Sequence, residues 1–250
     1  MKKTNPQKDR DESQDAFYHG RILVFQKKKG YRFAVDAPLL ADFIRTEKND
    51  RCLELGTGCG IISLLLSIKP FLHITALEIQ ESLADLARRN VQFNGLEKRI
   101  RVVHADFFDF HPSRKFDVVF SNPPYIKSQT GRRSDVAEKW VAKHEVKCDI
   151  LGTMQRTAAL LKKKGRAYFV FTAKRIPEFT RAVEKAGLSV HTTRLVYPRE
   201  RAKPNFLLSQ CVFPPSHERI LPPLFLYDES GNYTPEAKEI FAGRTHVPSV

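Results

Sequence analysis

Residues 121–125 read Ser-Asn-Pro-Pro-Tyr and follow the apolar run Phe116-Asp117-Val118-Val119-Phe120. A buried strand that meets Asn122-Pro123-Pro124 must turn, because neither proline donates to a sheet ladder and each restricts the residue before it. The turn gathers an amide side chain, a rigid carbonyl and the Tyr125 ring at the carboxyl end of a strand, where open α/β sheets hold their ligands. The Asn122 amide oxygen and the Pro123 carbonyl can accept both hydrogens of a planar –NH2 group, while the ring stacks on the π-system that carries it. Such a set orients a weakly nucleophilic exocyclic amine for attack. Taken alone, the tetrapeptide is equally a proline-punctuated strand end.

A second motif changes the balance. The short strand Arg51-Cys52-Leu53-Glu54-Leu55 runs into Gly56-Thr57-Gly58-Cys59-Gly60 and then a helical stretch over 61–68. Alternate glycines allow a tight turn, close backbone approach to a ligand, and helix amides directed into the site. The spacing is Gly-x-Gly-x-Gly rather than the Gly-x-Gly-x-x-Gly of dinucleotide binders, and Glu54 precedes it. A carboxylate there is of no use to a bound anion, but it suits a ligand with a cationic amino-acid end. The next strand, 72–77, ends at Glu78, where ribose-binding acids sit. A third, 100–104, ends at Ala105-Asp106-Phe107, placing a carboxylate and an aromatic ring at the following crevice position.

These residues resemble the class I S-adenosylmethionine-dependent methyltransferases over nearly the whole chain. Glu54-Leu55-Gly56-Thr57-Gly58-Cys59-Gly60 is similar to the first cofactor motif of that group. The resemblance implies that Glu78 takes the ribose hydroxyls, that Asp106 and Phe107 lie beside the adenine, and that Asn122-Pro123-Pro124-Tyr125 is the amino-methylating, catalytic motif. More narrowly, Gly30-Tyr31-Arg32-Phe33-Ala34-Val35-Asp36-Ala37-Pro38-Leu39-Leu40-Ala41 resembles the segment before the first strand in bacterial valine-tRNA adenine-N6 methyltransferases. It implies cofactor contacts from Phe33 and Asp36, with Asn122 also facing the cofactor. Lys143-His144-Glu145 is similar to an Arg-His-Glu in that group, with lysine replacing arginine, and residues 223–228 and 233–236 resemble its tail. The implied cofactor is S-adenosylmethionine.

Composition narrows the setting. Two hundred and fifty residues with 42% hydrophobic content fit one α/β domain with decorations. No apolar run approaches the roughly 20 residues needed to span a bilayer. Cys52, Cys59, Cys148 and Cys211 show no paired spacing, so reduced thiols in a cytoplasmic protein without a metal site are expected. The formal charge of +14 points to a polyanionic partner. Lys127, Arg132, Arg133, Lys143 and His144 crowd the segment after the Asn-Pro-Pro-Tyr motif and are the expected RNA contacts. Arg194, Arg199, Arg201 and Lys203 form a second basic group. Lys162-Lys163-Lys164 before Gly165 reads as a helix C-terminus.

Elsewhere, Asp36 is placed to cap a short helix over 37–45. Helices are expected over 82–93, 146–162 and 177–186, with strands over 116–120 and 166–171. The alternation predicts a Rossmann-like, doubly wound, mostly parallel seven-stranded sheet. Two last strands, 189–196 and 206–213, have no helix between them and are expected to pair antiparallel as a terminal hairpin. The expected organisation is a mobile leader over 1–20, a methyltransferase domain over 21–213 and a tail over 214–250, in a monomer.

Three functions compete. The first is methylation of an adenine exocyclic amine in RNA, in tRNA next to the anticodon. The second is methylation of a release-factor glutamine, whose amide presents the same hydrogen-bonding face, although those enzymes carry an N-terminal helical domain. The third is RNA binding by an inactive methyltransferase fold. Phosphate contacts add affinity that falls with salt. Replacing Arg132 and Arg133 together by alanine should therefore weaken RNA binding across sequences and flatten its salt dependence, leaving S-adenosylmethionine affinity unchanged; affinities over a salt series for both proteins check this.

Overall fold

The computed structural model describes residues 11–29, 34–123, 150–215 and 217–244. The chain opens with an antiparallel hairpin of β1 (Glu12–Phe17) and β2 (Ile22–Lys27), which the sequence reading does not anticipate. Then come α1 (Asp36–Phe43), β3 (Arg51–Leu55), α2 (Ile61–Leu65) with a 3-10 turn over Leu66–Ile68, β4 (His73–Glu78), α3 (Glu81–Phe93), β5 (Ile100–His104) and β6 (Phe116–Ser121). The second half holds α4 (Ile150–Leu160), β7 (Leu161–Thr172), α5 (Ile176–Lys185), β8 (Ser189–Tyr197) and β9 (Phe206–Val212). Two short strands, β10 (Arg219–Ile220) and β11 (Leu224–Phe225), precede α6 (Pro235–Phe241).

The main sheet runs β10-β8-β9-β7-β6-β3-β4-β5, with β11 also on β8, nine strands in all. Without the two-residue strands β10 and β11, it is the expected seven-stranded sheet. Strands β3 to β7 pair in parallel, and β9 lies antiparallel to both β7 and β8. Chain order reverses between β3, which leads on to β4 and β5, and β6 on its other side. Parallel strands coated on both faces read as near-continuous apolar runs, and β7 shows why. Tyr168 and Val170 face the cluster beneath α1, α2 and α3, while Phe169 and Phe171 face the one beneath α4 and α5. In β6 a register shift between Phe116 and Val118 sends Phe116 to the α4–α5 side.

Two expectations need correction. Lys162, Lys163 and Lys164 lie in β7, not at a helix end, and Lys162 pairs with Asp117 of β6 at 2.7 Å. Arg194 is no surface cation: it is 2% exposed in β8, where it donates to the Pro222 carbonyl (3.0 Å) and pairs with Glu236 of α6 (2.6 Å). Bordering these is a smaller shift. The α1 helix begins at Asp36 itself with Val35 as its cap residue, and the Asp36 carboxylate accepts from the Ala37 amide. At the other end of α1, Lys69 donates to the carbonyls of Ala41, Asp42 and Ile44 at 2.6–2.7 Å, as a basic group at a helix C-terminus can. Among the described residues no helix is long and apolar enough to cross a membrane.

The hairpin is held by Asn90 of α3 and by Asn94, the residue just past its end. Asn90 accepts from the Phe25 amide and donates to the Phe25 and Cys59 carbonyls, each at 2.8 Å. Asn94 accepts from the Leu23 amide (3.0 Å) and donates to the Leu23 carbonyl (2.7 Å). Residues two apart in a strand are about 6.8 Å apart, and four residues of helix rise about 6 Å. The two side-chain amides thus stand in for a neighbouring strand. Arg89 adds a two-pronged ion pair to Glu12 (2.8 and 2.9 Å). Asn90→Leu would leave three buried backbone groups without partners, at about 1–3 kcal/mol each. Denaturant unfolding should show a loss of several kcal/mol, against about 1 kcal/mol or less for Lys163→Ala at the surface.

Candidate active site

The parallel register sets one rim. Leu55 pairs with Leu77 of β4 and with Ser121 of β6, and Glu78 pairs with His104 of β5. Gly56, Glu78, His104 and Asn122 consequently lie at the same level, at the carboxyl ends of four adjacent strands. The reversal of chain order falls between β3 and β6, so the glycine loop and Asn122 flank the crevice where open α/β sheets bind ligands. Ser121 ties the two strand ends together by donating to the Leu55 carbonyl at 2.8 Å.

Within the loop, Gly56, Gly58 and Gly60 take φ values of +71°, +58° and +88°, a region that side chains strongly disfavour. Gly60 is further confined, since a Cβ there would lie 3.4 Å from the Ala87 Cβ of α3. At Gly56 a Cβ would meet nothing within 4 Å. The constraint there is conformational, and the open space is available to a ligand lying along the backbone. The Thr57 amide bonds the Leu77 carbonyl at 2.8 Å and fastens the loop to β4.

Glu54 is 1% exposed, and its Oε2 accepts from Thr57 Oγ1 (2.6 Å) and Ser63 Oγ (2.5 Å). These bonds join β3, the loop and α2, so the carboxylate organises the glycine turn from beneath. Burial pushes its pKa up to about 7, against the pull of the two hydroxyls. Glu78, 5% exposed, accepts from the Gly58 amide (2.8 Å) with one oxygen and from the Gln80 amide (2.9 Å) with the other. Burial raises its pKa too, while those amides favour the charged form. Asp106 accepts from the Phe108 amide at 2.9 Å and fixes the turn after β5. Phe107 lies there half-buried, its ring 4.5 Å from that of Phe108.

Three residues of this region escape the sequence reading. Thr57 and Ser63 complete the hydrogen bonds of Glu54, and the two hydroxyls on either side of the glycines are the signal that could have found them. Arg156 of α4 donates to the Phe107 carbonyl (2.7 Å) and to the Phe110 carbonyl, holding the turn that carries Asp106 and Phe107. Nothing local announces it, because its partners lie about fifty residues earlier. Asp36 is 7% exposed in the first turn of α1, and Asn122 and Pro123 are half-buried just past β6. Phe33, Pro124, Tyr125, Lys127, Arg132, Arg133, Lys143 and His144 lie outside the described residues. Cys52, Cys59 and Cys211 are buried free thiols, and no metal-binding cluster occurs among the described residues.

The donors and acceptors fit S-adenosylmethionine. The open backbone at Gly56 and the strand-end groups Glu78, Asp106 and Phe107 are of the kinds that its amino-acid end, ribose hydroxyls and purine would need, while Glu54, 1% exposed, supports the loop from beneath. Glu54 also has a measurable signature without ligand. Its folded pKa is raised, so its stabilising protonated form is complete below pH 4.5 and lost as pH rises towards about 7. Glu54→Gln should therefore gain stability relative to the parent across that window, by about 3 kcal/mol at most. Urea unfolding of both unliganded proteins from pH 4.5 to 8 measures the difference.

The family model described as "Methyltransferase small domain" matches residues 31–175. A Flavobacteriaceae bacterium protein named tRNA1(Val) (adenine(37)-N6)-methyltransferase is 27% identical over 193 residues, covering 77% of this chain and 81% of its own. A protein of the same name from Pedobacter heparinus is 26% identical and covers 88% and 93%. Another, from Bacteroides thetaiotaomicron, is 32% identical over 60% and 63%. Among solved structures, an Agrobacterium tumefaciens protein described as a predicted O-methyltransferase superposes with a TM-score of 0.67 at 20% identity, over 85% of this chain and 98% of that one. The M. jannaschii tRNA m1G37 methyltransferase superposes with a TM-score of 0.56 at 14% identity, over 83% of this chain and 58% of that one; both likenesses concern fold alone. With residues 31–175 matched and the strand-end rim in place, the chain belongs to the methyltransferase small-domain family, an S-adenosylmethionine-dependent class.

Proposed function

We propose that this protein methylates the exocyclic N6 amine of an adenine in tRNA, next to the anticodon. The observation that carries the reading is the position of Asn122, which leaves β6 level with Gly56 and Glu78. An amine held by Asn122 would therefore lie beside a methyl donor held by the glycine loop. The names of the relatives support adenine N6 in tRNA, and a formal charge of +14 suits a polyanionic substrate.

S-adenosylmethionine supplies the methyl group from its sulfonium sulfur. The protein's part is alignment. An adenine amine is conjugated with its ring and nucleophiles of this kind react poorly. The Asn122 amide oxygen and the Pro123 carbonyl accept its two hydrogens and favour a more tetrahedral nitrogen, whose lone pair points at the methyl carbon. With the donor bound, an amine so aligned would take the methyl group as its bond to sulfur broke, and the resulting ammonium would give its proton to water. A base reached by this site must leave its stack, and stacking on Tyr125 would hold it with about 1–3 kcal/mol.

Asn122→Ala should lower kcat for tRNA methylation by two or more orders of magnitude while the dissociation constant of S-adenosylmethionine stays near that of the parent, because the contact matters chiefly in the transition state. Glu78→Ala should do the reverse and weaken S-adenosylmethionine binding by about tenfold or more. Labelled methyl transfer to total tRNA, with nucleoside identification after digestion, and calorimetry with S-adenosylmethionine read the two effects. Labelled release factor in place of labelled tRNA would move the assignment to a glutamine amide.

A further inference from the structure

The hairpin of β8 and β9 turns at the same end of the sheet as Asn122. Phe169 of β7 is level with Ser121, and Thr172, three residues on, pairs with Phe206 of β9, which pairs in turn with Val196 of β8. Three residues of strand rise about 10 Å, and β8 lies three strand spacings, about 14 Å, from β6. The turn over 198–205 therefore stands as a raised shoulder beside Asn122, on the side away from the glycine loop. Arg201 and Lys203 are exposed in this turn, and Lys174 is exposed in the 3-10 turn that follows β7. None of the three makes an ion pair or a side-chain hydrogen bond among the described residues, unlike Arg175, which pairs with Glu178 at 2.5 Å.

The backbone that presents these cations is fixed on both sides. Towards β7, the Ala173 amide donates to the Asn205 carbonyl at 2.9 Å, which brings the segments carrying Lys174 and Lys203 together. Within the turn, the Asn205 amide bonds the Val196 carbonyl (2.8 Å) and the Ala202 amide bonds the Arg199 carbonyl (3.1 Å). On the outer side, the Leu226 and Tyr227 amides donate to the Tyr197 and Pro198 carbonyls, each at 2.9 Å. Tyr227 is itself stacked on Tyr233 at 4.9 Å. The tail is docked in its turn: Gly243, just past α6, is pressed so closely on Tyr18 of the β1–β2 hairpin that a Cβ there would come within 2.6 Å of the ring. Glu200 of the turn, with Asp228 and Glu229 of the tail, borders Arg201 in a recess on this outer side.

Unpaired cations on a braced turn suit a polyanion, because little further ordering is needed when it binds. We propose that Lys174, Arg201 and Lys203 hold phosphates of the substrate RNA beside the base presented to Asn122. This rests on RNA being the substrate, and it is separate from the contacts expected of Lys127, Arg132, Arg133, Lys143 and His144. Phosphate contacts fix register and orientation and carry no sequence information directly. The shoulder thus directs the strand towards Asn122 without choosing the base. The three acids of the outer recess limit the surface on that side, since they repel phosphate.

The test compares two triple variants of equal charge. One combines Lys174→Gln, Arg201→Gln and Lys203→Gln; the other combines Arg114→Gln, Lys115→Gln and Lys164→Gln, exposed residues at the opposite end of β6 and β7. Anisotropy with labelled bulk tRNA is followed over a salt series, and methyl transfer to the same tRNA is measured alongside. The shoulder triple should weaken binding about tenfold at roughly 0.1 M salt and lower the slope of log affinity against log salt by about 2. Its KM for tRNA should rise accordingly, while kcat and S-adenosylmethionine affinity stay at the parent's values. The second triple should keep the parent's slope and affinity. Equal losses in both triples, or an unchanged slope in the first, overturn the proposal. Should the shoulder triple fail to fold, Lys203→Gln alone must lower the slope by about 0.7, and no change overturns it. A parent that binds tRNA through the shoulder yet methylates none loses the proposed activity and keeps this surface. A parent that methylates tRNA, with a shoulder triple of undiminished affinity, keeps the activity and loses the surface.

Discussion

A carboxylate buried without a cation is unfavourable unless hydrogen bonds compensate it, and the glycine loop is assembled around one. Thr57 and Ser63 both donate to the same oxygen of Glu54. The first belongs to the loop and the second to α2, so the turn between β3 and α2 has little freedom left. Glu78 secures the loop's middle by accepting from the Gly58 amide, and Asn90 secures its end by donating to the Cys59 carbonyl. Three polar side chains from three elements thus hold a backbone whose positive φ angles would otherwise leave it free to sample many shapes. Preorganisation of this kind lets a ligand bind without first ordering the loop.

Much of this was legible from residues alone. Alternating β and α patterns, and prolines and glycines at strand ends, are local signals, and they placed β3 to β6, β8 and β9 closely, while β7 begins at Leu161 rather than at Arg166. The carboxyl-end acids followed from strand order, because successive parallel strands deliver their last residues to one rim. What escaped was non-local. The β1–β2 hairpin joins a polar strand to a short apolar run over 22–25, and Asn90 of α3 and Asn94 just past it supply its outer edge with partners. Arg194 looked like one of several basic residues near a turn, yet Glu236 and the Pro222 carbonyl draw it into the interior. The lysines at 162–164 imitate a helix terminus, but strand pairing with β6 and the Asp117 partner outweigh that preference. In each case a tertiary partner far along the chain overrode a local tendency.

The same non-local contacts place the hairpin and the tail against the domain's helical face. Thr234 caps α6 by accepting from the Ala237 amide and donates to the Phe225 carbonyl. Strands β10 and β11 lie parallel to β8 and lengthen its edge. These decorations add a packed surface beside α1, which α6 contacts.

The contact between Tyr18 and Gly243 has a further consequence for biosynthesis. Contacts between residues far apart in sequence require closure of a long loop and form late. During translation the sheet and its glycine turn can assemble before α6 has left the ribosome, whereas the packing of Gly243 on the hairpin turn cannot. A nascent chain would form its strand-end rim first and lock the hairpin turn against the tail only afterwards.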